Sequence, residues 1–446
     1  MAGSAAKKRK ALAAAGPFIT RIDDLTHEGV GIARRDGKAV FAEGGLPGET
    51  VECVYTALRG RHDEARVVRV LESAPERVEA RCAHFGVCGG CALQHLEPVG
   101  QRAVKQRWLL DSLSRIGKLQ PEQVLEPMTG PLWGYRRRAR LGVKWVAKKG
   151  RVLVGFRERH SPYIADLRRC EVLDERVGDL LEPLARLVET LSIREQLPQI
   201  EVAGGDEAMA LSLRVLAPPS TADLALLRAF SARQGCAFYL QPGGPDSARP
   251  LEVEGPALHY RLPDFALTLE FQPYHFVQIN AAINQALVAK TCDLLELGPQ
   301  DRVLDLFCGL GNFTLALARR AREVVGVEGD ASLVAWARRN ATRNGVTNAV
   351  FYPANLATAL GQAAWLQDRY DKILLDPPRS GALELLPALG ALSAQRIVYV
   401  SCHPATLARD VGELTQRFGY HLDSAGVLDM FPHTAHVESM AVLTRR

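Results

Sequence analysis

The stretch RVLDLFCGLGNF, residues 302–313, decides the fold of the C-terminal half of this chain. Residues 303–307 form a largely apolar run, Gly309 and Gly311 interrupt it, and a helical pattern begins at Asn312. This pattern predicts a buried strand that turns sharply into a helix. Because glycines let the backbone approach a ligand closely at the carboxyl end of a parallel strand, we expect a nucleotide-cofactor loop here.

A second apolar strand, residues 324–327, ends at Glu328, whose carboxylate is suited to binding a ribose diol. No third glycine follows Gly311, although a pyrophosphate-binding loop has one. S-adenosylmethionine, which carries no phosphate, therefore fits the pattern better than NAD. A structural turn without a ligand is the alternative.

The composition places few limits on function. The 446 residues predict about two to four domains, and 55 Lys and Arg against 50 Asp and Glu give a formal charge of only +5. No apolar run is as long as a membrane span, and the N-terminus lacks a secretory core, so we expect a cytoplasmic protein without membrane contact. In that compartment the nine cysteines indicate metal binding or catalysis rather than disulfides.

The first 75 residues contain two regions. Residues 1–16 predict a basic disordered tail, because residues 7–10 are all Lys or Arg; the tail either contacts RNA phosphates or is only solvated. Residues 17–75 consist of short strand-like runs separated by glycine turns, which predicts a small barrel. Such barrels bind oligonucleotides on one face, and a purely structural barrel with solvated arginines is the alternative. Seven basic residues suit RNA binding: Arg34, Arg35, Lys38, Arg59, Arg61, Arg66 and Arg69.

Three cysteines lie close together in the segment RCAHFGVCGGCALQH. Five residues separate Cys82 from Cys88, and two separate Cys88 from Cys91. Three thiolates this close rarely serve packing alone, so we expect a tetrahedral metal centre whose fourth ligand is Cys170. The triplet resembles an iron–sulfur site more than a zinc site with two CxxC pairs, but the residues alone leave both metals open.

The region 76–270 is predicted to be a central domain that carries this cysteine site and an RNA surface. Residues 135–159 contain ten Lys or Arg residues and one acid, Glu158, with Trp145 and Phe156 between them. Basic strands with interleaved aromatic residues are typical of a nucleic-acid surface, and a solvated sheet face is the alternative.

From residue 271 to residue 446 helices and strands alternate as in a single doubly wound sheet. The segment KILLDPPRSG, residues 372–381, is an apolar strand that ends in Asp376 and a rigid prolyl turn. Methyltransferases that act on exocyclic amines usually have Asn-Pro-Pro followed by an aromatic residue. Asp376 and Arg379 therefore indicate another target atom.

Two further residues predict the reaction. Cys402 follows the strand at residues 397–400, a position that suits a nucleophile, although a buried structural thiol is the alternative. Glu438, in the segment PHTAHVESM, precedes the final strand and can reach the same pocket as a base. Methylation at carbon 5 of uracil needs both groups: a thiolate adds at carbon 6 to activate carbon 5, and a base then removes the carbon-5 proton.

Taken together, these residues resemble the RNA 5-methyluridine methyltransferases that use S-adenosylmethionine. The similarity extends over nearly the whole chain. The motifs that carry it are FVQIN (276–280), DLFCGLGNF, GVE ending at Glu328, Asn355-Leu356, DPPRSG, SCHPATLARD and HVES.

The resemblance implies a role for each candidate residue. Cys402 is the nucleophile and Glu438 the base. The residues that contact S-adenosylmethionine or line its site are Gln278, Phe307, Asn312, Glu328, Asn355 and Asp376. The ligands of a [4Fe–4S] cluster are Cys82, Cys88, Cys91 and Cys170. One departure is visible, because the family usually has Asn where this chain has His403; an imidazole can still donate a hydrogen bond.

The implied fold class is α/β, with a doubly wound Rossmann-like methyltransferase domain preceded by a TRAM-like or OB-like barrel and a mixed α+β domain with the cluster. Members that modify transfer RNA generally lack both barrel and cluster. The presence of both implies the branch that methylates a uridine of large-subunit (23S) ribosomal RNA, and we expect a monomer. The alternatives are the same chemistry on another ribosomal or transfer RNA uridine, a cytosine-directed carbon-5 enzyme, and a non-catalytic iron–sulfur RNA-binding protein.

Overall fold

A computed structural model of the chain describes residues 12, 14–252, 256–356 and 363–445. The basic residues 7–10 lie outside the described residues. The chain forms two compact units: one reaches to Lys105 and includes Pro432–His436, and the other comprises Gln106–Phe431 and the residues from Val437 onward. Within the described ranges, no helix is long and apolar enough to cross a bilayer.

The first unit contains the small barrel that the sequence predicts. Its five strands close in the order β1-β2-β3-β5-β4. Alternate side chains face inward, so Ile22, Val40, Val51 and Cys53 form part of a buried hydrophobic core. The strands are β1 (Phe18–Leu25), β2 (Gly31–Arg35), β3 (Lys38–Glu43), β4 (Thr50–Leu58) and β5 (His62–Glu72).

A buried ion pair fixes the chain where it leaves the barrel. The carboxylate of Glu49 is fully buried, pairs with Arg77, and accepts backbone N–H groups of Leu46 at 2.8 Å and Ala74 at 3.3 Å. Burial opposes ionisation of Glu49, but these partners hold its pKa below the usual value. The turns that follow carry Cys82, Cys88 and Cys91.

The second unit begins with a mixed sheet whose order is β12-β11-β10-β9-β7-β8. Only β10 and β11 are parallel; the other neighbours are antiparallel. The elements from residue 98 to residue 250 are α1 (Pro98–Ser112), β6 (Gln123–Val124), β7 (Arg138–Val146), β8 (Arg151–Gly155), α2 (Glu175–Gly178), α3 (Leu181–Thr190), β9 (Gln199–Gly204), β10 (Met209–Arg214), α4 (Thr221–Gln234), β11 (Cys236–Gln241) and β12 (Arg249–Pro250).

The C-terminal part of the chain builds an eight-stranded sheet in the order β17-β16-β15-β18-β19-β21-β20-β6. Its elements, with the hairpin that precedes them, are β13 (Leu258–Leu262), β14 (Leu267–Phe271), α5 (Ala281–Leu294), β15 (Arg302–Leu306), α6 (Thr314–Leu317), β16 (Glu323–Glu328), α7 (Ala331–Arg343), β17 (Ala349–Pro353), β18 (Lys372–Leu375), α8 (Leu386–Leu392), β19 (Arg396–Ser401), α9 (Pro404–Phe418), β20 (Tyr420–Leu428) and β21 (Glu438–Arg445).

Five strands of this sheet, β15 to β19, are parallel, and helices cover them. The chain runs from β15 outward through β16 and β17, then returns to β18 on the other side of β15. A crevice opens where the strand order reverses, at the carboxyl ends of β15 and β18, and such crevices bind ligands in open α/β sheets.

Two details differ from the sequence expectation. The helix expected at Asn312 begins at Thr314 and has four residues, because residues 309–313 form turns instead. The sheet also reaches N-terminal to residue 271: β6 pairs with β20, and apolar side chains of the β13–β14 hairpin join the sheet's hydrophobic core. Long-range pairing of short strands leaves little local signal in a sequence.

Candidate active site

The loop after β15 has the backbone conformation that a close ligand requires. Phe307 has φ of 67°, and Gly309 and Gly311 have φ of 53° and 88°. A positive φ at a bulky residue is unfavourable. Here the N–H groups of Phe307 and Cys308 both donate to the Val327 carbonyl on β16, at 2.8 and 3.1 Å, and hold the turn in place. The predicted glycine-rich turn is therefore present at the switch point of the sheet.

Glu328 lies at the carboxyl end of β16 with its carboxylate fixed from both sides. One oxygen accepts the Gly309 N–H at 3.1 Å, and the other accepts the Asp330 N–H at 3.0 Å. Each carboxylate oxygen can accept more than one hydrogen bond, so both remain able to receive a ribose hydroxyl. This arrangement fits the role predicted for Glu328.

The side chain of Asn312 is hydrogen-bonded to other residues of the protein. It exchanges two hydrogen bonds with the amide of Asn284 on α5, at 2.9 and 3.0 Å, and its oxygen also accepts the Tyr260 hydroxyl at 3.0 Å. The amide oxygen thus has two donors already. Asn312 acts on the loop by anchoring it to α5 and β13, and Asn284 and Tyr260 are supporting residues that the sequence analysis missed.

Carboxyl groups surround the crevice. Burial raises the pKa of Asp305 to about 7, and the neighbouring charges of Asp376 and Glu328 act in the same direction. Burial also raises the pKa of Asp376 to about 7. When ionised, these groups repel a phosphate and attract a cation. The electrostatics of the crevice therefore favour the sulfonium of S-adenosylmethionine over a dinucleotide.

Cys402 and Glu438 are brought together by the pairing of β19 with β21. The two strands are antiparallel with Ser401 opposite Ser439, so the next pair in register is Cys402 with Glu438. The Ser439 hydroxyl donates to the Ser401 carbonyl at 3.1 Å and supports this register. Glu438 is close enough to Cys402 for its charge to raise the pKa of the thiol.

The charges near Cys402 oppose its ionisation. Burial raises the pKa of the Cys402 thiol to about 11; Glu438 and Asp376 act in the same direction, and Arg379 acts against them. Burial, and then the charge of Asp376, hold the pKa of Glu438 well above its usual value. Without a ligand the pocket therefore favours a neutral thiol and a neutral Glu438.

A buried carboxylate joins the strand that carries Cys402 to the DPPRSG turn. Asp410, on α9, accepts the Tyr399 hydroxyl at 2.6 Å and the Ala382 N–H at 2.7 Å. The Thr406 hydroxyl donates to the Arg379 carbonyl at 3.2 Å. These bonds fix Arg379 relative to Cys402. The sequence analysis missed the role of Asp410.

His403 caps α9. Its Nδ1 accepts the Thr406 N–H in a long bond of 3.4 Å, while its own backbone N–H donates to the Ser401 hydroxyl at 3.1 Å. Asn is a preferred residue at this capping position, because its side-chain oxygen accepts the corresponding backbone N–H of the first helical turn. The imidazole thus supplies the acceptor that the usual Asn would provide.

The remaining predicted residues lie as follows. Gln278 is half-buried in the segment between β14 and α5, and Asn355 is exposed just after β17. Cys82, Cys88 and Cys91 are half-buried in the first unit. Cys170 is half-buried in the second unit, where its backbone N–H donates to the Gly178 carbonyl at 3.1 Å.

Comparisons with known proteins find relatives of this chain among the uracil methyltransferases. Residues 250–446 match the family model described as tRNA (Uracil-5-)-methyltransferase. The 23S rRNA (uracil(1939)-C(5))-methyltransferase RlmD of Alkalilimnicola ehrlichii is 56% identical over 430 residues, which cover 96% of this chain and 97% of the relative. The enzyme of the same name from Xanthomonas oryzae is 53% identical over 434 residues, covering 96% and 98%.

One solved structure is also similar over nearly the whole chain. The tRNA (uracil-54, C5)-methyltransferase of Pyrococcus abyssi, in complex with S-adenosyl-L-homocysteine, has a TM-score of 0.72 and 25% identity, covering 96% of this chain and 99% of its own. A transfer RNA enzyme therefore matches the barrel region as well.

The fold and the crevice define an S-adenosylmethionine-dependent methyltransferase. Within that class, the chain belongs to the RNA uracil-5-methyltransferase family, which confirms the resemblance seen in the sequence.

Glu328→Gln should weaken S-adenosylmethionine binding and leave RNA binding unchanged. We expect the KM for the cofactor to rise by about 10- to 100-fold, the size expected when hydrogen bonds to a charged acceptor are lost. Glu323→Gln is a matched control, because Glu323 begins the same strand and pairs with Arg302 at 2.9 Å, away from the crevice. Equal effects of both substitutions would contradict the assignment of Glu328.

The affinity for S-adenosylmethionine should rise with pH through about 7. Asp305 and Asp376, with pKa values of about 7, are ionised above that pH and attract the sulfonium. S-adenosylhomocysteine has the same amino acid group but no sulfonium charge, so its affinity should rise less. Calorimetric titration of both ligands from pH 6 to pH 8 gives the ratio of the affinity for S-adenosylmethionine to the affinity for S-adenosylhomocysteine. If that ratio does not change with pH, these carboxyl groups do not interact with the sulfonium charge.

Proposed function

We propose that this protein transfers the methyl group of S-adenosylmethionine to carbon 5 of a uridine in 23S ribosomal RNA, the uridine that corresponds to position 1939 named for its relatives. The observation that carries the chemistry is that Cys402 lies close to Glu438: Ser401 pairs with Ser439 at the adjoining ends of β19 and β21, and the charge of Glu438 acts on the Cys402 thiol. The choice of ribosomal RNA is supported by identities above 50% along nearly the whole chain.

Cys402 acts as the nucleophile. Carbon 5 of a resting uracil is a poor nucleophile, so the Cys402 sulfur bonds to carbon 6 and moves electron density to carbon 5. When bound, S-adenosylmethionine supplies the electrophilic methyl group. The target base leaves its stack to reach the thiol, because carbon 6 is inaccessible within a paired helix.

The thiol must lose its proton before or during attack. With a pKa of about 11, Cys402 has little thiolate at neutral pH, whereas Asp376, at about 7, is partly ionised and able to accept the proton. Arg379 stabilises the thiolate as it forms. The bound sulfonium adds a positive charge that favours ionisation of all nearby acids.

Glu438 completes the reaction. After methylation, carbon 5 carries both the methyl group and its original proton, and the sulfur is still bonded to carbon 6. The Glu438 carboxylate removes that proton, the double bond reforms and the Cys402 thiolate leaves. Because burial raises its pKa, Glu438 is a stronger base than an exposed carboxylate, which suits proton removal from carbon.

Cys402→Ala and Glu438→Gln should fail at different steps. Without the thiol, neither methylated RNA nor a covalent complex forms. With Gln at 438, attack and methyl transfer proceed but proton removal slows by about 100-fold or more, so protein stays bonded to methylated RNA on a denaturing gel. Cys236→Ala, in β11, and Glu413→Gln, half-buried on α9, are controls that keep activity.

Free, unmethylated RNA from the Glu438→Gln variant, with no shifted band, would show that Glu438 is not the base. Asp376 would then be the candidate.

Mapping of 5-methyluridine in cells tests the substrate. In a strain that lacks the gene, 23S ribosomal RNA should lose the modification at the position equivalent to 1939, and transfer RNA should keep its own. The wild-type gene, but not Cys402→Ala, should restore it. Loss from transfer RNA instead would favour the alternative substrate. Loss from neither, with full RNA binding, would favour a non-catalytic RNA-binding protein.

We also propose that Cys82, Cys88, Cys91 and Cys170 hold a [4Fe–4S] cluster. The donor set fits, since all four are half-buried cysteines, and the Gly90 N–H donates to the Cys88 sulfur at 3.4 Å, a bond that stabilises a ligand thiolate. We assign the cluster no step in methyl transfer; it organises the fold and the RNA surface.

Anaerobically purified protein should therefore be brown and contain about four irons per chain. Cys82→Ser should lose the visible absorption and weaken RNA binding, whereas Cys236→Ser, in a strand of the second unit, should keep both. Stoichiometric zinc with a colourless protein would contradict the assignment.

The barrel contributes to RNA binding as a TRAM-like module, and the protein acts as a monomer. The barrel has less positive charge available for RNA than the sequence indicates, because four of its seven predicted RNA-binding residues form ion pairs with Asp or Glu. These four residues are Arg35, Lys38, Arg59 and Arg69. Among the described barrel residues, Arg34, Arg61 and Arg66 have no ion pair.

A further inference from the structure

A cleft of about 760 Å³ lies on the six-stranded sheet of the second unit, formed by residues that the proposed chemistry does not use. Strands β7 and β8 form its floor, with Val143 and Leu153 among the lining residues. A hairpin at residues 156–165 forms one wall and contributes Tyr163 and Ile164.

Backbone hydrogen bonds build this hairpin. The Ala165 N–H donates to the Phe156 carbonyl, and the Glu158 N–H donates to the Tyr163 carbonyl, both at 2.9 Å. Gly142 lets the hairpin lie close to the sheet, since a Cβ there would be 2.3 Å from Cδ1 of Ile164. The cleft is thus a defined feature of the fold.

Tyr163 is the exposed aromatic side chain of the cleft, at 72% exposure. The aromatic residues that the sequence indicated as RNA contacts are less available: the Arg194 guanidinium lies 4.9 Å from the Trp145 ring centre, and Arg136 lies 5.7 Å from that of Phe156. No ring or cation contact involves Tyr163 in the part of the chain that the structure describes. Its ring is therefore open to a stacking partner.

Some of the basic side chains around the cleft are engaged in ion pairs, and others are able to contact RNA. Several basic residues of this region form ion pairs within the protein, among them Arg137, Arg140, Lys149 and Arg151. Lys144 and Arg157 line the cleft, are exposed and have no ion pair among the described residues. Glu158 is the acidic residue in the lining. The cleft thus combines an exposed aromatic ring with two available cations.

We infer that this cleft binds an unpaired nucleotide of the RNA substrate at a second position, separate from the uridine that is methylated. The base stacks on Tyr163 and is supported by the apolar floor, while Lys144 and Arg157 contact the flanking phosphates. The volume lies within the range of about 300–1,000 Å³ typical of small-ligand sites. This inference rests on the proposed function for the identity of the RNA, but the binding itself needs no methyl transfer.

Equilibrium titration of a 23S ribosomal RNA fragment that contains the target uridine, without S-adenosylmethionine, tests the stacking contact. Tyr163→Ala should weaken binding by about 5- to 150-fold, as expected for the loss of one stacked base. Tyr163→Phe keeps the ring and should bind within about twofold of the wild type. Thermal melting checks that each variant is folded.

The salt dependence of the same titration tests the phosphate contacts. Lys144→Gln and Arg157→Gln should each reduce the slope of log affinity against log salt by about 0.7, the value for one contact to a single strand. Lys290→Gln is the matched control, because Lys290 is exposed on α5, outside the cleft, and should leave the slope unchanged.

Wild-type affinity in Tyr163→Ala, or slopes for Lys144→Gln and Arg157→Gln equal to that of Lys290→Gln, would overturn the inference, and an acidic protein partner would become the candidate occupant. A failure of the proposed function would give another result. The wild-type protein would bind the fragment with the same dependence on Tyr163 and on salt, but it would not methylate the fragment.

Discussion

The antiparallel pairing of β21 with β19 is the constraint on which the proposed chemistry depends. The five parallel strands bring the glycine loop, Glu328 and Asp376 to one edge of the sheet, but a sixth parallel strand would not present a residue from its start at that edge. Because β21 runs in the opposite direction, its first residue, Glu438, lies opposite the residue that follows β19. A shift of one residue in this pairing would turn Glu438 to the other face of the sheet.

The same pairing creates an electrostatic conflict. In the proposed mechanism Cys402 reacts as an anion, yet the charges of Glu438 and Asp376 raise its pKa, and burial raises the pKa values of all three groups. A site with only these groups would be inactive at neutral pH. Arg379 relieves part of the conflict, and a sulfonium in the crevice relieves more. The thiol is thus expected to ionise when the cationic cofactor is present, which protects the unliganded enzyme from unwanted reactions of a free thiolate.

The sequence predicted those parts of the site that lie within continuous motifs. The loop at Gly309 and Gly311 follows an apolar strand, so its position at a sheet edge could be read directly, and the barrel was visible from its alternating strands. Asn284 and Tyr260 could not be identified, because they reach Asn312 from elements far away in the chain. The sequence also could not predict which aromatic side chains are exposed. The guanidinium groups of Arg194 and Arg136 lie against the rings of Trp145 and Phe156, whereas the exposed Tyr163 lies just outside the basic residues 135–159.

The most direct test of the account uses RNA in which the target uridine is replaced by 5-fluorouridine. Fluorine occupies the place of the carbon-5 proton and cannot be removed by a base, so the reaction should stop after methyl transfer with the sulfur still bonded to carbon 6. Mass spectrometry of the digested complex should find the peptide that contains Cys402 joined to a methylated 5-fluorouridine nucleotide. An adduct on another cysteine, or methylated RNA with no adduct, would contradict the role assigned to Cys402.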